Sequence, residues 1–222
     1  VTVTSPKIDV DLDKLPELPK SEGGESRIKV GIVRVIDGSL NLRDGSRALA
    51  VELGRWQASA SRLAGTGGYR VEFATSQPGR VSYQGRNETI DSAALVYSGS
   101  AIEKLDLATS AGHLSAQGAV DPTLDLNVQA EAKLAGLVED VRGDATAALH
   151  VTGTLEKPIL AGSLAASELF WRTVGPVNGS TRFAVNEAMD QVRLTGTQVK
   201  WNSASLNGSA GIARAGRSEV DF

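Results

Sequence analysis

Two histidines, three closely spaced aspartates and one acidic cluster are the residues whose chemistry needs testing first. His113 and His150 each open an alternating stretch, with no second histidine, cysteine or paired acid at ligand spacing. Zinc takes three or four convergent ligands, so both read as strand or turn histidines. Asp9, Asp11 and Asp13 recur at every second residue and therefore share one strand face. A calcium loop turns back to bring about six oxygens to one point; an extended strand does not, and these three read as a solvated face. Glu139, Asp140 and Asp144 are the acids that could form a glycosidase pair, yet they fall on the wet side of an expected short helix and its exit. The GTGG run at Gly65 to Gly68 lacks the Lys-Ser/Thr and the following helix of a phosphate loop, and reads as a turn. Asn87, Asn178 and Asn207 open N-x-S/T sequences, a match common by chance. The expectation is no catalytic residue, no metal and no cofactor.

Composition narrows the classes further. In 222 residues, 23 Lys and Arg stand against 26 Asp and Glu, a net charge of -3, so the chain is not a basic nucleic-acid-binding domain. The hydrophobic fraction of 41% is that of a folded protein, but only 5% of residues are aromatic and Met occurs once. Any apolar surface must therefore be built from Val, Leu, Ile and Ala. Cysteine is absent, which removes disulfides, thiolate metal sites and thiol nucleophiles together. No apolar run approaches the ~20 residues that span a bilayer as a helix. The opening VTVTSPKIDVDLD already reads as a strand and lacks an initiator Met, which suggests a piece of something longer.

The elements that must position these residues are strands. Short runs alternate apolar and polar side chains and are broken by Gly, Asn or Asp, the pattern of strands with one buried and one wet face. Val1, Val3, Ile8, Val10 and Leu12 alternate, giving an N-terminal strand region over residues 1–14. Leu15 to Ser26, LPELPKSEGGES, reads as a linker or flexible loop. From residue 27 to 222 the alternation runs on: Ile28, Val30 and Ile32, then Val33 and Val35 on the opposite parity, which places a bulge or strand end near Gly31 to Val33. Asp37-Gly38 and Asp44-Gly45 are turn signals of antiparallel hairpins, and Gly54 marks a change of phase. Helical spacing occurs at Leu134, Leu137, Val138 and Val141 before Gly143, enough for about two turns. Leu12 to Leu18 has room for one turn before Pro16 limits it.

An apolar-x-apolar-x-Gly-x-apolar unit recurs. It is carried by Leu114, Ala116, Gly118 and Val120; by Leu149, Val151, Gly153 and Leu155; and by Ala204, Leu206, Gly208 and Ala210. Each follows another alternating strand, containing Leu105 and Leu107, Ala145 and Ala147, or Val192 and Leu194. The spacings are about 35 and about 55 residues, so the repeat is a loose strand-strand unit.

The stretch Asp144 to Trp171 carries a more specific pattern, V-x-G-T-L-x-x-P-x-L-x-G-x-L, on Val151, Gly153, Thr154, Leu155, Pro158, Leu160, Gly162 and Leu164. It resembles the TamB and AsmA-like proteins of the bacterial envelope. Ile32 to Asp44 is similar to a phrase that recurs in their N-terminal halves. The resemblance implies a periplasmic segment of a protein anchored in the inner membrane, whose stacked strands make a long, lengthwise-folded curved sheet with a greasy open groove. It also implies phospholipid acyl chains as cargo moving between inner and outer membranes, a role in outer-membrane protein assembly, and a partner barrel of the TamA-like, Omp85 type.

Physical arithmetic supports the same expectation. At ~5–10 residues each the chain supplies ~16 strands, and open sheets beyond ~10 strands curl or split. Stacked at ~4.8 Å they would run ~75 Å, against a radius of gyration of ~17 Å for a compact chain of this length. The expected fold is all-β: an elongated, folded sheet with at most one or two short helices. Its expected groove lining is Leu105, Leu107, Leu114, Ala116, Leu149, Val151, Leu155, Leu164, Val192, Leu194 and Leu206, with small residues such as Ala145, Ala147, Ala204 and Ala210 leaving room for a guest. Trp56, Trp171 and Trp201 suit either sheet packing or an apolar-wet boundary. Arg193 and Lys200 alternate with apolar neighbours and read as outward charges. The rival readings are a self-filled β-solenoid or sandwich module of a surface protein, and an enzyme on a β-helix scaffold.

Overall fold

The structure, a computed structural model, describes residues 1–14, 31–64, 68–135, 138, 140–186, 191–213 and 219–221. The linker expected at Leu15 to Ser26, the Ile28 and Val30 positions, most of the Gly65 turn, and Leu137 and Glu139 lie outside the described residues. The chain is all-β: among the described residues it has sixteen strands and one turn of 3₁₀ helix at Leu12–Lys14. It divides into two compact units, Val1–Gly99 with Glu103–Ser110, and Ser100–Ile102 with Ala111–Phe222.

In the first unit β1 (Thr2–Thr4) and β2 (Lys7–Asp11) run parallel to β3 (Ile32–Asp44), one after the other along its edge. β3 then pairs antiparallel with β4 (Leu49–Arg62). β4 is long enough to take two partners on its other side, β5 (Tyr69–Thr75) toward its end and β6 (Gly79–Tyr83) toward its start. Both also pair with β7 (Arg86–Ser98), and β8 (Ala101–Thr109) follows. The parallel placement of β1 and β2 has no local signal, because alternation reports a face and not a direction.

Two sequence expectations are corrected here. Asp37-Gly38 is not a turn: β3 runs through it, and the register with β4 shifts on both sides of Gly38. The reason is Trp56 on β4, which is buried and lies over Gly38 so closely that a Cβ there would sit 2.5 Å from the indole ring. Only glycine admits the ring. Asp44-Gly45 is the real turn, and it is held from two sides. The buried Asp44 carboxylate accepts from the Ser46 hydroxyl at 2.6 Å, the Arg47 amide at 3.0 Å and the Arg47 guanidinium at 2.9 Å. Asp13, in the 3₁₀ turn, accepts from the Gly45 amide at 2.6 Å.

The second unit is a meander in which every strand pairs antiparallel with the next: β9 (Gly112–Ala119), β10 (Leu124–Lys133), β11 (Val141–Gly153), β12 (Pro158–Trp171), β13 (Val174–Val185), β14 (Gln191–Trp201), β15 (Ala204–Ala213) and β16 (Glu219–Asp221). The two-turn helix expected around Leu134 to Gly143 is the second correction. Val141 and Gly143 belong to β11, and the Leu134 amide donates to the Gly143 carbonyl at 2.9 Å, extending the ladder. No helix among the described residues is long and apolar enough to cross a membrane.

Candidate functional site: the apolar face of the second unit

The register of β9 to β15 sorts their side chains into two faces of opposite chemistry, since residues paired across a ladder point the same way. On one side Ala116 meets Val128, and Val128 meets Leu149. Val151 meets Leu160, Ala147 meets Leu164, and Leu149 meets Gly162. Further on, Gly162 meets Phe183, Phe183 meets Leu194, and Leu194 meets Ala210, while Val199 meets Leu206 and Val192 meets Ile212. The other side carries Asp125, Asn127, Gln129 and Glu131 on β10, then Asp144, Thr146 and His150 on β11.

Among the described residues of β9 to β15, no charged side chain lies on the apolar side. Its only hydroxyls are Thr181 on β13 and Thr197 on β14, and these bond each other at 2.8 Å. Bulges in β12, β13 and β14 shift the phase without letting a charge through: β14 slips between Leu194 and Thr197, so both still face the apolar side.

This face is only half covered. In this unit, among the described residues, no helix and no second sheet lies over it. Ala116 and Leu124 are its buried members, most others are half-buried, and Leu164, Leu206, Ile212, Trp171 and Trp201 are exposed. Monomeric proteins seldom leave contiguous apolar patches beyond a few hundred Å² in water, and half-exposing one leucine forfeits about 1 kcal/mol. A cavity of ≈ 600 Å³ at the β13–β15 end draws on both faces, with Val192, Leu194 and Ile212 beside Arg193, Thr195 and Ser209.

Of the expected lining residues, Leu114, Ala116, Leu149, Val151, Leu164, Val192, Leu194 and Leu206 are all on this face. Leu105 and Leu107 are half-buried on β8 in the first unit. Leu155 is not a lining residue: it sits in the turn between β11 and β12, 79% exposed. The repeat misplaced it because β11 ends at Gly153, whose φ of 95° and close approach to the Lys157 carbonyl close the hairpin two residues earlier. Leu126, Val128, Phe183, Val185, Val199 and Ile212 belong to the face as well. Their alternation was visible in the sequence, but their side of the sheet was not.

The described acid and histidine candidates lie off this face, and most of them are paired. His150 Nε2 lies 2.7 Å from Asp125 Oδ1 on the polar side. Asp9 accepts from Asn41 Nδ2 at 2.8 Å, and Asp11 pairs with Lys14 at 2.6 Å, a contact that lowers the Asp11 pKa and raises that of Lys14. Asp140 pairs with Arg172 at 2.9 Å, and Asp144 is exposed opposite Lys133 and Ser167. No cluster of three metal-ligating side chains occurs among the described residues. Compared with protein-family models, curated proteins and solved structures, the chain matches none.

Proposed function

We propose that this chain is a lipid-holding segment, non-catalytic, whose apolar face receives the acyl chains of phospholipids. The observation that carries the reading is the second unit's face: seven strands wide, free of charge among the described residues, its two hydroxyls bonded to each other, and left half open. An acyl chain laid on it gains ~0.8 kcal/mol for each methylene removed from water. The contacts are non-directional, so a chain is retained while it slides. Small residues such as Ala145, Ala147, Ala204 and Ala210 keep the floor low under it.

On this reading the chain is an internal part of a TamB- or AsmA-like envelope protein. It carries phospholipid between inner and outer membranes, acts in the periplasm below an inner-membrane anchor, and works with an Omp85-type barrel. The pattern at Val151 to Leu164 and the open apolar face are what support it.

Native mass spectrometry of protein purified from a bacterial envelope without detergent tests the proposal. Phospholipid adducts that disappear on solvent extraction are expected. A lipid-free protein that also fails to take up added phospholipid would favour the surface-module reading and defeat this one.

A further inference from the structure

The N-terminal segment lies on the first unit as a strap. Among the described strands β1 and β2 pair with β3 alone, parallel to it, in one register from Thr2 opposite Arg34 to Asp11 opposite Arg43. The break between them at Ser5 and Pro6 stands opposite Asp37 and Gly38, where β3 itself is irregular. The Ser5 amide donates to the Ile36 carbonyl at 2.8 Å, and the Ser39 amide to the Pro6 carbonyl at 2.9 Å. Asp9 accepts from Asn41, and Asp13 from the amides of Gly45 and Ser46. Little apolar burial backs these bonds, since Val3 and Ile8 stay exposed. A segment laddered on one side, with few buried apolar contacts, is among the first parts of a fold to open.

The parallel direction sets how far the chain must return. Asp13, in the turn after β2, is bonded beside Gly45, whereas β3 begins at Ile32, and its 13 residues measure ~43 Å at ~3.3 Å each. The 16 residues between Lys14 and Gly31 can reach ~55 Å, but a flexible chain of that length averages only ~23 Å end to end. The effective concentration of the segment at its own β3, millimolar for a short flexible link, falls by about a hundredfold at that span, to on the order of 10 µM. A second copy offers the same ladder and the same carboxylates. We propose that residues 1–14 exchange between two copies of this chain, each laying its strap on the outer edge of the other's β3 in a two-fold-symmetric dimer. Exchange overtakes docking within the chain once the protein passes on the order of 10 µM.

Because the chain has no cysteine, introduced thiols report the exchange without background. Ile8 stands opposite Leu40 in the register, a placement that a disulfide can bridge. Full-length Ile8→Cys and full-length Leu40→Cys are mixed under reducing conditions at about 100 µM and at about 1 µM, then oxidised. At the higher concentration a mixed dimer bridged between residues 8 and 40, identified by peptide mapping, is expected in about tenfold excess over the dimers that either variant forms alone; at the lower it fades. The variant Ile8→Cys/Leu40→Cys, with both thiols in one chain, is expected to close its bridge within the chain at about 1 µM. Val10 and Leu42, opposite each other two residues further on, repeat the test with independent substitutions. A bridge within the double variant but no excess of mixed dimer at the higher concentration overturns the exchange and leaves a strap that stays on its own β3. Double variants that close no bridge at either pair overturn it as well, because the strap is then not on β3.

Discussion

Thr181 and Thr197 place their hydroxyls 2.8 Å apart across β13 and β14, on a face that otherwise carries only apolar side chains among the described residues. Each hydroxyl is the other's side-chain partner, and that of Thr181 also donates to the Arg182 carbonyl at 3.2 Å, so the polarity of the pair is satisfied within the sheet. Replacing one leaves the other's hydroxyl without that partner, whereas replacing both removes the need. Thr181→Val and Thr197→Val are each expected to lose about 1 kcal/mol, and the double variant less than the sum. Urea unfolding of the four proteins measures this; strictly additive losses would show that the hydroxyls are not coupled.

Leu206 and Leu155 were both expected to line the groove but occupy different surroundings, one on the apolar face and one in a turn. Leu206→Asp is expected to abolish lipid adducts at a stability cost of about 1 kcal/mol, because the side chain is 48% exposed. Leu155→Asp should leave both lipid and stability unchanged within about 0.5 kcal/mol. Adduct counts by native mass spectrometry decide it. Equal behaviour of the two variants would contradict the assignment of the face.

Gly38 is required by Trp56 and not by a turn. Gly38→Ala puts a methyl where the indole ring lies, and is expected to destabilise the first unit by about 1–3 kcal/mol with a change in the near-ultraviolet dichroism of Trp56. A wild-type denaturation midpoint in this variant would mean that the ring moves freely off the strand.

Asp44 sets an acid limit on the β3–β4 hairpin. The Ser46 hydroxyl, followed by the Arg47 amide and guanidinium, holds its pKa below the ordinary 3.8 in spite of its burial. A carboxyl depressed in the folded state adds stability above its unfolded value, and that stability is lost as the pH falls through the lower folded value. Stability should therefore drop below about pH 4. Asp44→Asn is expected to be less stable than wild type at neutral pH and to lose less on acidification, as followed by urea midpoints across the acid range. Parallel pH profiles for the two proteins would refute the role assigned to Asp44.

The strand class, and much of which residues share a side, followed from the sequence alone. Leu149 and Val151, or Val192 and Leu194, alternate with polar residues, and a pleated strand sends every second side chain the same way. That local rule was enough to place eight of the eleven expected residues on one face of the second unit. What the tertiary structure decided were features set by a partner strand. Gly38 became a bulge because the Trp56 ring arrives from β4. Val141 and Gly143 joined a strand because β11 is laddered to β12 and the Leu134 amide reaches the Gly143 carbonyl. Leu155 left the face because the hairpin closes at Gly153. The Thr181–Thr197 pair arises only because bulges bring two phases into step. Gly38 with Trp56 and Thr181 with Thr197 join residues more than 15 apart in the chain, and alternation within one strand carries no information about such partners.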